Sequence, residues 1–259
     1  MGRLDGKVAF VTGAGSGVGR EVSKLFAREG AKIMLVGRTV ATLEETKGLI
    51  EDAGGCAKVS SADISVDGAA EDVVAVTAGL FGRLDVLVHA AAVGFSWAEK
   101  SPGSMNGIAE TSAEKWREII RINLDGCYQV NRAAIIQMRN NGGGAIVNVA
   151  SILGFQGLEA AHTYTAAKAG VINLTRSIAV TYARDGIRAN VVAPGAIDTP
   201  MLGAQRSYFD DPRKAYRAIP LGRAASALEI AYGCLYLASE EASYCTGTVL
   251  TIDGGSTAK

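Results

Sequence analysis

The sequence predicts a doubly wound α/β fold: a seven-stranded, mostly parallel sheet with helices on both faces, in one domain over residues 1–259. Three observations predict it. Short apolar runs rich in Val alternate with segments whose apolar residues recur at helical spacing. The connections between them are tight and marked by glycine, the pattern of a parallel sheet covered on both faces. A glycine-rich turn, TGAGSGVG at residues 12–19, stands between the first run and the first helical segment.

The elements follow in order. Residues 7–11 (KVAFV) read as a buried strand, and residues 20–28 as a helix with Val22, Leu25 and Phe26 on one side, ended by Gly30. Residues 32–36 form the second strand and residues 40–52 the second helix, with Gly54 and Gly55 as its stop. Residues 57–60, 67–80 and 84–89 continue as strand, helix and strand. Residues 90–110, with Gly, Pro, Ser and Asn, read as a loop longer than most connections. Residues 111–138 then read as one long helix, opened by a Thr111/Glu114 capping box and kinked near Asn123 and Gly126. Residues 145–150 are the fifth strand. Residues 161–183 are a helix apolar nearly all round, which implies burial on two sides. Residues 187–192 and 246–252 are the last strands, with a helix at 228–239 between them. Residues 201–223, with Tyr208, Phe209, Tyr216 and five Arg or Lys, read as a surface segment that could close over a site as a lid.

Composition excludes several classes. Lys plus Arg and Asp plus Glu both number 26, so nothing in the net charge favours nucleic acid or an anionic membrane. The four cysteines, Cys56, Cys127, Cys234 and Cys245, are scattered without a CxxC, as in reduced thiols of a cytosolic protein. Two histidines, His89 and His162, are too few for a multi-histidine metal site, and no metal is expected. The N-terminal residues lack the apolar stretch of a signal peptide, Gly6 stands where a myristoylation signal needs Ser or Thr, and no uncharged run is apolar enough to span a bilayer. The expected location is the cytoplasm.

The chemistry is concentrated in residues 151–168. Tyr164 and Lys168 stand four apart, on one face of a helix and one turn from each other. A lysine ammonium beside a phenol favours the phenolate, so the Tyr164 pKa is expected below its free value of about 10, making it a proton donor and acceptor near neutral pH. Ser151 lies at the end of the fifth strand, where a hydroxyl can meet a helix packed on the sheet. In the glycine turn, Gly13, Gly15, Gly17 and Gly19 lack side chains that would keep a pyrophosphate from the backbone, and the following helix supplies N–H groups and a positive dipole end. The register is not G-x-G-x-x-G, since Val18 stands where that pattern needs its last Gly. The second strand ends Val36-Gly37-Arg38-Thr39 with no Asp or Glu to hold a ribose 2′-OH. Arg38 is placed to accept a 2′-phosphate, which favours NADP over NAD; the alternative is a solvated charge at a helix start, with Thr39 as the N-cap.

The turn TGAGSGVG, Asn123 in RINLDG, Ser151, the Tyr164-x-x-x-Lys168 pair and Pro194-Gly195 together resemble the short-chain dehydrogenases/reductases, from residue 7 to residue 255. The resemblance implies a Rossmann-type fold and an NAD(P)-dependent oxidoreductase that interconverts a secondary alcohol and a ketone. It implies that Tyr164 is the general acid/base, that Lys168 lowers its pKa and holds the nicotinamide ribose, and that Ser151 orients the substrate oxygen. Asn123 would kink its helix and hold a proton-relay water. The cofactor would lie on Gly13, Gly15, Ser16, Gly17, Val18 and Gly19, with Arg38 and Thr39 at the ribose, Asp63 and Ile64 at the adenine, and the backbone of Ala90 and Ala91 lining the adenosine. Tyr164, Lys168, Pro194, Gly195, Ile197 and Thr199 would complete its nicotinamide end.

One departure stands out. Where the family usually reads Asn-Asn-Ala-Gly after the fourth strand, this chain has His89-Ala90-Ala91-Ala92. His89 either replaces the hydrogen bonding of that Asn or is a buried imidazole with one partner. His162 is read as structural. Phe95, Trp97, Met201, Leu202, Tyr208 and Phe209 suggest an apolar, aromatic or alicyclic alcohol or ketone as substrate; otherwise they pack under a lid or at a subunit contact. The long apolar helices suggest oligomerisation, and the resemblance implies a homotetramer. The competing reading is a dinucleotide-binding sensor or scaffold without catalysis. An enoyl reductase would show a wider Tyr–Lys spacing than this one.

Overall fold

The computed structural model describes residues 2–259. Seven strands, β1 (Val8–Thr12), β2 (Lys32–Gly37), β3 (Cys56–Ser61), β4 (Val86–His89), β5 (Gly144–Val149), β6 (Ile187–Pro194) and β7 (Val249–Ile252), form one sheet in the order β3-β2-β1-β4-β5-β6-β7. Every neighbouring pair is parallel. The order reverses between β1 and β4, the topological switch point at which such sheets open a crevice beyond their strand ends. The fold is a Rossmann-like α/β domain.

Alternation along the strands explains why they read as continuous apolar runs: both faces are covered. On one side Ala9, Val11, Ile33, Leu35, Val86, Val88 and Val147 pack under α1 (Gly17–Arg28), α2 (Val40–Glu51) and α8 (Ala227–Ala238), through Val22, Phe26, Leu43, Ile50, Ile230 and Leu235. On the other, Phe10, Met34, Leu87 and Ile146 meet α3 (Ala69–Phe81), α5 (Gly126–Asn140) and α6 (His162–Tyr182), through Val73, Val74, Val130, Met138 and Ile178.

The stretch expected as one helix over residues 111–138 is two. α4 (Ala113–Ile120) passes into a π-helical turn, Arg121–Asp125, before α5 begins. Its N-cap is Ser112, whose Oγ accepts from the Lys115 N–H at 3.2 Å; Thr111 instead donates its hydroxyl to the Gly107 carbonyl. Asn123, fully buried in the π turn, is the physical reason for the break. Its Oδ1 accepts from the Val93 N–H at 2.8 Å and its Nδ2 donates to the Val93 carbonyl at 2.9 Å, so the widened turn carries the amide into the loop after β4.

Residues 201–223 form a run of 3₁₀ geometry over Pro200–Asp210 and a short helix, α7 (Pro212–Ala218). Leu202, Ala215 and Ile219 are buried while Tyr208, Tyr216 and Leu221 stay exposed. Among the described residues no helix is long and apolar enough to cross a membrane, and no cluster of His, Cys, Asp and Glu could hold a metal ion.

Candidate active site

The C-terminal ends of six strands open into one cavity of about 570 Å³. Gly13, Gly15, Ser16, Gly17, Val18 and Gly19 from the first turn line it, as do Arg38 and Thr39 beyond β2 and Asp63 and Ile64 beyond β3. Ala90 and Ala91 line it beyond β4, Ser151 beyond β5, and Pro194, Gly195, Ile197 and Thr199 beyond β6. Tyr164 and Lys168 reach it from α6. Of the residues singled out in the sequence for cofactor or chemistry, only Asn123 does not line the cavity; its side-chain amide is committed to Val93.

The glycine turn fits a pyrophosphate. Gly13 sits at φ +67°, a left-handed conformation that L side chains rarely adopt, and a Cβ on Gly19 would lie 2.3 Å from the Gly13 carbonyl oxygen. The turn therefore folds back on itself only without side chains. Ser16 is the N-cap of α1, its side chain makes no capping hydrogen bond, and the first turn of the helix holds no acidic residue. A positive helix pole with free N–H groups is left facing the cavity. Thr39 occupies the N-cap of α2 without a side-chain capping bond.

At the far end of this pocket Arg38 is exposed, with its guanidinium carbon 5.3 Å from the centre of the Trp97 ring. Lys100 lies 5.6 Å from the same ring centre. The indole N–H donates to Glu118 Oε1 at 2.8 Å, and Ser101 and Lys115 hold the other carboxylate oxygen. Trp97, read in the sequence as a wall of the substrate site, is thus a platform for Arg38 and does not line the cavity. Burial raises the Asp63 carboxyl, but hydrogen bonds from Ser65 and the nearby Arg38 and Arg121 outweigh it and hold it below the usual carboxylate range.

At the other end, Ser151 caps a 3₁₀ turn, Ile152–Gly154, its Oγ accepting from the Leu153 N–H at 3.1 Å. Its hydroxyl acts on the Tyr164 phenol to lower its pKa. α6 starts at Ala161 in a left-handed conformation (φ 57°), the only non-glycine residue with positive φ among those described. The start is pinned from outside the helix: the Ala161 N–H donates to the Met105 carbonyl, and Thr163 Oγ1 donates to the Ser104 carbonyl at 2.7 Å. The loop before α4 thereby sets where Tyr164 begins its helix.

The Tyr164 electrostatics reverse the expectation from spacing. Burial pushes the phenol up to about 12, with the Ser151 hydroxyl opposing. Lys168 Nζ lies 5.7 Å from the Tyr164 ring centre and donates to the Val149 carbonyl at 3.0 Å. Lys168 is itself buried, and burial brings it down to about 8, with Cys127 opposing. Tyr164 is therefore protonated at neutral pH. The Phe95 ring meets it at a tilt of 41°, with ring centres 5.9 Å apart.

Phe95, Met201, Leu202 and Phe209 line the outer half of the cavity, joined by Leu153, Leu158 and Gln205, which the sequence reading did not single out. Tyr208 stands outside, edge-on to Phe209. A Cβ on Gly94 would meet Met201 at 2.9 Å, so the segment after Thr199 rests directly on the loop after β4. Thr12 was also missed. Its hydroxyl accepts from the N–H groups of Ala90 and Ala91, both at 3.1 Å, and Thr-Gly before a glycine turn is the signal that could have found it. His89 is a buried imidazole with one side-chain partner, Thr12, at 3.0 Å.

A sequence model described as enoyl-(acyl carrier protein) reductase matches residues 13–257. The chain is 40% identical over 253 residues to the cis-4-hydroxycyclohexanecarboxylate dehydrogenase of Sinomonas cyclohexanicum, covering 97% of each chain. It is 37% identical over 264 residues to the levodione reductase of Leifsonia aquatica, covering 99% of this chain and 96% of that one. Among solved structures, a short-chain type dehydrogenase/reductase from Mycobacterium marinum superposes with a TM-score of 0.90 at 30% identity, over 99% of this chain and 97% of its own.

Proposed function

The chain belongs to the short-chain dehydrogenase/reductase family of oxidoreductases, and on that premise we propose that it interconverts a secondary alcohol and a ketone with NADP, NAD being the alternative. The observation that carries the reading is the meeting of Ser151, Tyr164 and Lys168 in the same cavity as the glycine turn. The substrate proposed is apolar and alicyclic or aromatic. Phe95, Leu153, Leu158, Met201 and Phe209 around the outer cavity support it, and two relatives are named for cis-4-hydroxycyclohexanecarboxylate, an alicyclic alcohol that also carries a carboxylate, and for levodione. The enoyl description of the matched model is not adopted, because Tyr164 and Lys168 are one helical turn apart on α6 and share the cavity with Ser151.

The residues would act as follows. The glycine turn and the N-terminus of α1 hold the pyrophosphate, and Arg38, backed by Trp97, holds a 2′-phosphate. The nicotinamide, when bound, supplies the hydride in reduction and accepts it in oxidation. Ser151 and Tyr164 hydrogen-bond the substrate oxygen from one side. Tyr164, held protonated by burial, gives its proton to that oxygen as the alcohol forms. Lys168 holds ribose hydroxyls and stabilises the phenolate left behind. Asn123 acts by position, fixing the loop after β4 through Val93. Residues 201–223 are proposed as a lid. A homotetramer is proposed from exposed Tyr128 and Ile136 on α5 and Val180 on α6, and the proposed location is the cytoplasm.

The test is a side-by-side titration with NADPH and NADH followed by a screen of cyclic and aromatic ketones. Tight NADPH binding with turnover of neutral cyclic ketones is the expected result. NADH preference would demote Arg38 to a surface charge, and binding of neither would refute the reading.

A further inference from the structure

His89 replaces the usual Asn of the family's pattern, and a count of hydrogens around Thr12 says what it does there. A threonine hydroxyl has one proton to donate and two lone pairs to accept with. Both lone pairs of Thr12 Oγ1 are taken, by the N–H groups of Ala90 and Ala91 at 3.1 Å each. Its third neighbour is His89 Nδ1, at 3.0 Å. The hydroxyl proton must therefore point at Nδ1, which can accept it only as an unprotonated nitrogen. The other tautomer would ask Thr12 to accept three hydrogen bonds while its own proton found no acceptor. The imidazole thus carries its proton on Nε2, which is buried and has no hydrogen-bond partner among the described residues. Thr12, His89 and Asn148 are aligned in adjacent strands, and Asn148 is already engaged with Asn131 and Thr175.

We propose that His89 is a positioning residue for the dinucleotide: its neutral Nδ1 aims the Thr12 hydroxyl so that both lone pairs clasp the Ala90–Ala91 backbone, which walls the adenosine end of the cavity. The inference rests on the dinucleotide-binding reading. The clasp joins the two segments that meet at the switch point. A Cβ on Gly13 would lie 2.9 Å from the Ala91 nitrogen, so the glycine turn and the loop after β4 have no slack between them. Burial, and secondarily Lys168, keeps the imidazole neutral, as an acceptor at Nδ1 requires.

The experiment uses the full chain with its histidines labelled with ¹⁵N. There are only two, so a His162→Gln variant assigns the spectrum. The expected spectrum places the His89 proton on Nε2 and leaves Nδ1 bare. His89→Asn keeps an acceptor and is expected to bind NADPH within threefold of the parent. His89→Leu removes the acceptor and is expected to weaken NADPH about tenfold, with kcat at saturation within twofold and faster amide exchange at Ala90 and Ala91. A proton found on Nδ1, a Leu variant that binds like the parent, or an Asn variant as weak as the Leu variant would each overturn the proposal. A parent that binds neither NADPH nor NADH would refute the dinucleotide reading instead; tautomer and amide exchange then still decide the clasp. Should His89→Leu not fold, the spectrum and His89→Asn decide it.

Discussion

Replacing Lys168 with Met should make the protein more stable while it destroys the activity. Lys168 is 2% exposed, and burial brings its pKa from 10.5 down to about 8. At pH 7 that difference amounts to roughly 3 kcal/mol of stability forgone by keeping the residue charged in the fold. Its hydrogen bond to the Val149 carbonyl returns about 1 kcal/mol, which the variant loses. Lys168→Met is therefore expected to be about 2 kcal/mol more stable at pH 7. The sign changes with pH in a defined way. Between about pH 8 and 10.5 the unfolded chain binds this proton and the folded chain does not, so the stability of the parent rises with pH across that window. The advantage of the variant should shrink to a few tenths of a kcal/mol near pH 9.5. Urea unfolding of both proteins at pH 7 and 9.5, at one fixed protomer concentration, measures it. Ketone reduction should fall at least a hundredfold in the same variant. A variant less stable than the parent at pH 7, or an advantage that does not narrow with pH, would refute the reasoning.

Tyr164→Phe should lower kcat by 10² to 10⁴-fold with NADPH affinity unchanged, and turnover within tenfold of the parent would remove Tyr164 from its role. Arg38→Ala should weaken NADPH by about ten- to a hundredfold and NADH by less than threefold, the loss of a charge-assisted contact to one phosphate; Trp97→Ala should show part of the same loss, read by titration of both cofactors. His89 supplies a pH dependence of the opposite range to Lys168. Its value falls from 6.5 to about 3, so as the pH drops through that window the unfolded chain takes up a proton that the fold refuses. Between pH 7 and 5 the parent should lose about 2 kcal/mol more stability than His89→Asn, and parallel losses in urea unfolding would contradict this.

Most of the fold was legible because its signals are local. β1, β2, β4, β5 and β6 are largely apolar runs bounded by glycine or polar turns, and burial on both faces is what made them read as runs without alternation; the edge strands β3 and β7 are only partly buried. The glycine turn and the Tyr164–Lys168 pair were legible for the same reason: each is a short spacing that one helix or one turn turns into geometry. What the sequence could not show is contact across elements. The break at Arg121–Asp125 depends on Asn123 meeting Val93, thirty residues away. The Tyr164 pKa depends on its burial in the packed site, and the Val149 carbonyl that the Lys168 ammonium meets lies nineteen residues off on another element. Trp97 looked like a substrate wall because aromatic residues near a variable loop usually are; its bond to Glu118 and its stacking on Arg38 are properties of the packed structure.

Those last contacts join the two ends of the cavity. The single 3₁₀ turn Phe95–Glu99 carries Phe95, whose ring packs at a tilt on Tyr164, and two residues later Trp97, which lies beneath Arg38. Its start is tied to the π turn through Val93 and Asn123, and its far side to α4 through Glu118. A displacement of this turn would move Phe95 and Trp97 together, and with them the residue proposed to read the 2′-phosphate and the ring beside the proposed proton donor. On that proposal, cofactor choice and substrate fit are coupled through residues 93–99. Substitutions at Phe95 made to alter substrate preference should therefore change the NADPH-to-NADH ratio as well, whereas substitutions at Phe209, on the separate segment after Thr199, should change substrate preference alone. Kd measurements for both cofactors across the two sets distinguish a coupled turn from independent walls: equal ratios in both sets would mean the turn transmits nothing.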